Sequence, residues 1–239
     1  MTGSVMRIAI FSDVHGNARA LEAVLADVQA RGPFDQIING GDLAFGGPRP
    51  REAMALLMAR AYPTVVGNTD QWVAGLAGGS TPLVEWARRQ LGPEHLEYLR
   101  GLPMSHRVEP PGMPPLVIVH ATPSSTTESV MPDAPEAVVR QMMEQARTTT
   151  LVYGHIHRAY TREVAGGLLV NVGSAGMPFD GDPRPSWGIC TLRDGRWTAE
   201  IVRVTYDREA VAQELLASDH PDAAAFAARV RTGLASPKA

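Results

Sequence analysis

Arg7-Ile8-Ala9-Ile10-Phe11 runs directly into Ser12-Asp13-Val14-His15. A short apolar run of this kind reads as a strand buried on both faces, because such strands are continuous apolar stretches rather than alternating ones. The residues that follow include Asp13 and His15, both metal-ligand types. In an extended segment, residues two apart point the same way, so these two can grip one ion together. The same succession recurs four more times. Ile37-Ile38-Asn39 precedes Gly40-Gly41-Asp42, and Val65-Val66 precedes Gly67-Asn68-Thr69-Asp70. Leu116-Val117-Ile118-Val119 precedes His120, and Leu151-Val152-Tyr153 precedes Gly154-His155-Ile156-His157. Ligands of open α/β sheets bind beyond the carboxyl ends of the strands. Five such ends at one edge of one sheet would gather two Asp, one Asn and four His into a site for two metal ions.

Between these strand ends the spacing is helical. Leu21, Val24, Leu25 and Val28 predict a helix over residues 17–31, stopped by Gly32-Pro33. A second helix is expected over 51–61, followed by a strand at 64–66. Strand–loop–helix–strand units of this kind indicate a parallel α/β sheet. Residues 71–103 read as a helical insertion, loosened at its start by Gly75, Gly78 and Gly79, with short helices at 85–91 and 94–99. The proline-rich stretch 110–115 is a turn between two strands, since proline cannot donate to a sheet ladder. A helix over 135–145 precedes the His155 strand. From residue 158 the pattern changes to short strands, at 158–164, 168–172, 187–192 and 197–204, with hairpin signals at Gly166-Gly167 and Asp194-Gly195. An Ala-rich helical tail follows over 207–234, with the last few residues expected to fray. The domain expectation is one unit over 1–205 and a C-terminal helical extension over 206–239.

The bulk numbers set bounds. A chain of 239 residues with 44% hydrophobic and 20% charged residues is that of a soluble globular protein with a sizeable core. A net charge of −3 leaves no basic footprint for nucleic acid, while a small phosphate ester remains compatible because bound cations would set the local field. The one cysteine, Cys190, lies in an apolar run and reads as a buried small hydrophobe. No intrachain disulfide can form, which fits a cytoplasmic location. The apolar run 8–11 is too short for a signal peptide or a membrane span.

Taken singly, each motif has a plain structural reading. A lone His-x-His is more often structural than ligating, and Asp42 and Asn68 beside glycines could simply shape turns. Their coincidence at five strand ends changes this. Asp13-x-His15-Gly16-Asn17, Gly41-Asp42, Gly67-Asn68-x-Asp70, His120 and Gly154-His155-x-His157, in this order, resemble the calcineurin-like metallophosphoesterase superfamily. The likeness spans residues 6–175 and extends through Asn171-Val172-Gly173-Ser174 and residues 180–187 towards its small bacterial and archaeal phosphodiesterase-like branch. It implies an α/β fold, a four-layer αββα sandwich of two mixed β-sheets flanked by helices. It also implies a dinuclear centre, with Asp13, His15 and His157 on one ion, Asn68, His120 and His155 on the other, and Asp42 bridging. Carboxylate and imidazole donors suit manganese foremost, and iron, zinc or nickel.

The activity this implies is hydrolysis of a phosphodiester, cyclic nucleotides included, by attack of a metal-bound hydroxide. Asp13, Asp42, Asn68 and His120 are the residues expected to carry it. Two divalent ions bring about +4 of charge, and Asp13, Asp42 and a bridging hydroxide remove about 3, leaving the pocket positive. Candidate substrate contacts are Asn68, Asn17, Ser174 and Arg184. Asn17 reads equally as a helix cap, Ser174 as a turn residue and Arg184 as a solvated loop residue. Many superfamily members have His after the Asn; Thr69 stands there in this chain and is no proton donor near neutral pH. Asp70 is expected to orient its neighbours by hydrogen bonds rather than bind metal. Phosphomonoester or dinucleoside polyphosphate hydrolysis is a second reading, and a non-catalytic metal-binding scaffold a third. The insertion 71–103 is expected to roof the pocket. The tail reads either as a contact in a homo-oligomer or as a cover for the sheet.

Overall fold

The structure, a computed structural model, describes residues 5–164 and 166–236; the expected fraying of the last few residues lies outside them. Two mixed sheets stack face to face. The first has the order β2 (Gln36–Asn39), β1 (Met6–Phe11), β8 (Ser186–Arg193), β9 (Arg196–Arg203). The second has the order β3 (Ser105–Val108), β4 (Leu116–Val119), β5 (Thr150–Tyr153), β7 (Gly167–Val172), β6 (Ala159–Val164). In the second sheet the central strands β4, β5 and β7 are parallel between antiparallel edge strands; in the first only the edge pair β2–β1 is parallel, and β1–β8 and β8–β9 are antiparallel.

The two-residue period of a strand builds the layers. Ile8 and Ile10 of β1 face the second sheet, where they meet Ile118, Val152 and Val170. Ala9 and Phe11 face the other way, onto α1 (Ala18–Arg31) and α2 (Pro50–Arg60). Val117, Val119 and Leu151 likewise point outward onto α6 (Glu136–Ala146). Helix, sheet, sheet, helix is the αββα sandwich expected. Cys190 is buried between the sheets, and burial pushes its thiol up to about 12.

Several local expectations change. The strand at 64–66 reduces to a single parallel bridge between Thr64 and Asn39, because Pro63 removes a ladder donor and Val66 bonds instead to the Pro103 carbonyl. The insertion opens with an unforeseen helix, α3 (Asn68–Ala74), ahead of α4 (Pro82–Gln90) and α5 (Pro93–Arg100). Asp70 at its third position accepts from the Gly67 N–H, and Gly75 closes it in the left-handed conformation. The five ligand-bearing ends do not lie on one sheet: β1, β2 and the Thr64 bridge belong to the first, β4 and β5 to the second. The tail forms two helices, α7 (Arg208–Ala217) and α8 (Ala223–Thr232), whose Val211, Leu215, Phe226 and Val230 are buried in the same core as α1. No helix among the described residues is long and apolar enough to cross a membrane.

Candidate metal centre

The loops beyond the strands are knitted to one another before any side chain is considered. Gly40 N–H donates to Phe11 O at 2.7 Å, Asp13 N–H to Gly41 O at 2.9 Å, and His15 N–H to Asp42 O at 2.9 Å. In the second sheet Gly154 N–H donates to His120 O at 2.9 Å, and across the sandwich Ala175 N–H donates to Ser12 O at 2.8 Å. Such tight turning has a backbone cost. Among the described residues eight non-glycine residues have φ between 49° and 63°, and five of them are Asp13, His15, Asp42, His155 and His157. Each costs about 1–2 kcal/mol in that region, and strain of this kind concentrates at functional sites.

The side chains converge. His157 Nε2 lies 3.1 Å and His15 Nε2 3.7 Å from Asp13 Oδ1, and the two imidazole nitrogens are 3.0 Å apart. Asp42 Oδ2 is 3.6 Å from His15 Nε2 and 3.5 Å from His120 Nε2. On the far side of Asp42, Asn68 Oδ1 is 3.0 Å from both His120 Nε2 and His155 Nδ1. Donor atoms of Asp13, His15 and His157 all lie within 4.8 Å of one another, as do those of Asp13, Asp42 and His120. All but His155 are buried.

The donor set fits cations. His15, His120 and His157 each present Nδ1 to a backbone carbonyl, of Phe45, Gly40 and Met177, at 2.8, 2.8 and 2.5 Å. A carbonyl can only accept, so Nδ1 carries the ring proton and the Nε2 lone pair of the neutral ring points inward. His155 is turned about: its Nε2 faces Thr127 O at 3.2 Å and Nδ1 faces the cluster. Lone pairs therefore meet carboxylate oxygens, and buried Asp13 Oδ1 has no hydrogen-bond partner. Asn68 Oδ1 facing two imidazole nitrogens adds a third acceptor to that side, whereas its amide turned over would donate to both rings. Without cations the charges adjust by protonation. Burial opposes charge at His15 and His120, but the carboxylates of Asp13 and Asp42 outweigh it and raise both rings above their ordinary 6.5. Burial would likewise raise Asp13, yet the His157 charge and the adjoining His15 and His157 rings hold it well below the usual carboxylate range.

The expected substrate residues divide. Asn68 lies in the cluster. Asn17 does not present its amide: Oδ1 accepts from Ala20 N–H at 3.2 Å as the α1 cap, and Nδ2 donates to Gly176 O at 2.8 Å. Ser174 is fully buried, and its hydroxyl donates to Asp13 O at 2.7 Å while accepting from Met177 N–H at 2.7 Å, so it shapes the turn. Arg184 forks onto Asp182 at 2.6 and 3.0 Å and is half-exposed there. Asp70 accepts from the Asp42, Leu43 and Gly67 N–H groups at 2.8, 2.8 and 2.9 Å, fixing the backbone that presents Asp42. Burial and the Asp42 carboxylate push it up to about 6. Thr69 donates its N–H to Asp42 Oδ1 at 2.9 Å, and its buried hydroxyl is unpartnered. The sequence reading missed Phe45, Met177 and Thr127, which act through carbonyls and so leave no side-chain signal. It missed Ser129, whose hydroxyl lies 3.3 Å from His155 Nε2, and Phe179, stacked on His157 at 4.4 Å. Of the insertion expected to roof the pocket, α4 is tied to the C-terminal tail, Trp86 Nε1 donating to Asp219 at 2.8 Å, while the α3 residues at the cluster, Asn68 and Thr69, precede residue 71.

Comparison with known proteins gives a consistent picture. The model of the calcineurin-like phosphoesterase superfamily domain matches residues 6–195. An uncharacterised protein of Methanocaldococcus jannaschii is 28% identical over 90% of this chain and 94% of its own length. The crystal structure of a metallophosphoesterase from Sphaerobacter thermophilus superposes with a TM-score of 0.75 at 27% identity, over 97% of this chain and all of that one. A hypothetical protein from Pyrococcus horikoshii shares the fold, with a TM-score of 0.79 at 20% identity over 95% and 98% of the two chains.

Proposed function

The chain belongs to the calcineurin-like phosphoesterase superfamily, and from the chemistry of its cluster we propose a dinuclear phosphoesterase that prefers small phosphodiesters, cyclic nucleotides among them. The observation that carries this is the convergence of three proton-free Nε2 atoms on Asp13 and Asp42, with Asn68 and His155 continuing the cluster beyond Asp42. Asp13, His15 and His157 would hold one divalent ion, and Asn68, His120 and His155 the other, with Asp42 shared. Manganese is the favoured occupant, and iron, zinc or nickel suit the same donors. When bound, such ions supply Lewis acidity towards a phosphoryl oxygen and acidify a water that attacks it.

The chain's own residues supply geometry. The carbonyls of Phe45, Gly40 and Met177 hold three ring protons on Nδ1, so the imidazoles need no rearrangement to bind. Asp70 anchors the turn that carries Asp42. His155 is the least buried member, so substrate enters on its side, past Thr127 and Ser129. Thr69 cannot protonate a leaving group, so a sugar alkoxide leaving from a cyclic nucleotide would take its proton from water, the substrate or another residue, whereas an aryl leaving group needs none. The lone buried thiol fits a reducing, cytoplasmic setting.

The test is hydrolysis of a chromogenic aryl phosphodiester beside the matching monoester, by chelator-stripped protein with manganese restored. Metal-dependent turnover favouring the diester is expected. Faster monoester turnover would move the assignment to a phosphatase, and two tightly held ions without turnover of either would favour a scaffold.

A further inference from the structure

The loop from Leu43 to Arg49 holds His15 on three counts. Phe45 O takes the His15 Nδ1 proton at 2.8 Å, Gly16 N–H donates to Leu43 O at 2.8 Å, and Arg49 N–H donates to Gly16 O at 3.0 Å. Leu43 and Ala44 anchor the start of the loop in the core and Phe45 meets Trp72 edge-on at 5.8 Å, but Gly46 and Gly47 leave its second half without side chains to pack. What backs it is the C-terminal helical hairpin, which lies beyond the family-matched residues 6–195. The Phe226 ring lies so close to Gly46 that a Cβ there would sit 2.5 Å from it. The His220 ring packs at 4.7 Å from Trp86 and 4.8 Å from Phe226, locking the turn between α7 and α8 onto α4.

Glu214 on α7 makes the decisive link. Its carboxylate accepts from Arg49 Nε and Nη2 at 2.8 and 2.6 Å and from Arg19 Nε at 2.7 Å. Arg49 ends the Phe45 loop and Arg19 lies in the first turn of α1, immediately past the His15 turn. One carboxylate therefore ties together the two backbone segments between which His15 is held. The arrangement is partly shielded, the Glu214 side chain being 22% exposed, and the Arg49 fork is the bidentate geometry that fixes orientation as well as charge.

We propose that Glu214 is a positioning residue of the metal centre, through which the C-terminal hairpin holds the His15 side of the cluster in its ligating geometry. This rests on the dinuclear reading above. It gives the hairpin a role that simple coverage of the core does not. A covering helix pair would contribute the same stability whichever of its ion pairs were removed, whereas Glu214 is, among the described residues of the hairpin, the one whose side chain hydrogen-bonds to both segments flanking His15. The control lies on the same hairpin: Glu209 pairs with Arg231, joining α7 to α8 without touching the Phe45 loop.

The experiment is calorimetric titration of chelator-stripped full-length protein with Mn2+, together with the Mn2+ spin-resonance spectrum, for wild type, Glu214→Gln and Glu209→Gln. For Glu214→Gln, affinity in at least one of the two binding steps is expected to fall about 10-fold, the lower end for partners outside the ligand set, with weakened coupling between the two ions. Glu209→Gln should titrate as wild type does. Equal behaviour of the two variants, whether both weakened or both unchanged, overturns the proposal. Wild-type protein that takes up only one ion or none overturns the dinuclear reading and this inference with it; two-ion wild-type binding with an unaffected Glu214→Gln overturns this inference alone.

Discussion

Asp42 stands between the two halves of the cluster, its Oδ2 within 3.6 Å of His15 Nε2 and 3.5 Å of His120 Nε2. Asp42→Asn removes charge from both halves at once. Metal content should fall below two ions per chain and turnover more than about 100-fold, beyond the 10–100-fold typical of partners outside the ligand set. Elemental analysis and diester kinetics check this; full activity with two ions bound would sink the scheme. The titrating groups set the pH behaviour. His15 and His120 are raised above 6.5 in the folded protein. Their contribution to stability is thus fully present below 6.5 and is lost as pH rises through the raised values. Asp70 works in the same direction: raised from 3.8 to about 6, it costs the folded state stability as pH climbs between them. Burial holds His106, His155 and His220 below 6.5, and these work the other way. With the buried, carboxylate-faced His15 and His120 outweighing them, chelator-stripped protein should melt at a lower temperature at about pH 8 than at about pH 6. Manganese affinity should run the opposite way, strengthening with pH as protons leave the two rings. Thermal melts and titrations at both values give both signs.

At the scale of elements, the strand ends are held apart by very little material. A Cβ on Gly67 would lie 2.0 Å from Asp42 Oδ1. Gly67→Ala should therefore displace the Asp42 carboxylate and weaken Mn2+ binding at least about 10-fold. The same Cβ would lie 2.5 Å from the Asp42 backbone N, so a lowered melting temperature, read by circular dichroism, is expected beside the metal defect. Asn17 caps α1 and braces the Gly176 turn, so Asn17→Ala should lower stability by about 1 kcal/mol or somewhat more. A variant that keeps its stability while losing diester affinity would instead restore Asn17 as a substrate contact. Element boundaries were legible where periodicity was long: α1 and α6 fall within a residue or two of the spacing of their apolar positions. Helix α3 was not legible, because seven residues give barely two turns of periodicity and its stabilising acceptor, Asp70, also bonds to the Asp42 and Leu43 N–H groups.

For the whole molecule, metal binding and folding are linked. An ion present at about 100 times its Kd stabilises by about 2.7 kcal/mol. In a chain of this size each kcal/mol shifts Tm by about 2–4 °C. Two ions should therefore raise Tm by roughly 10–20 °C over chelated protein. A calorimetric scan with and without chelator measures this, and coincident melts would count against a centre that both sheets share. The strained left-handed turns at Asp13, His15, Asp42, His155 and His157 make that dependence reasonable, since bound ions would offset strain that the metal-free fold must carry.

The family was legible in the sequence alone, and so were the residues that stand at the strand ends. Ligand residue types directly after short apolar runs are a local signal, and Asp13, His15, Asp42, Asn68, His120, His155 and His157 do converge, though from the ends of two sheets rather than one. The sequence also showed strands buried on both faces, because β1 and β4 are continuous apolar runs; which residue faces which layer emerged only on folding. Only the tertiary structure decided how the late strands divide. The β6–β7 hairpin joins the second sheet beside β5, while β8 crosses over to pair with β1 in the first. Nothing in an apolar strand names its neighbour; the choice follows from which exposed ladder and which face the rest of the chain leaves open. For the same reason Asn17 and Ser174 became a cap and a turn brace, and Glu214, which carries no motif, came to lie behind His15.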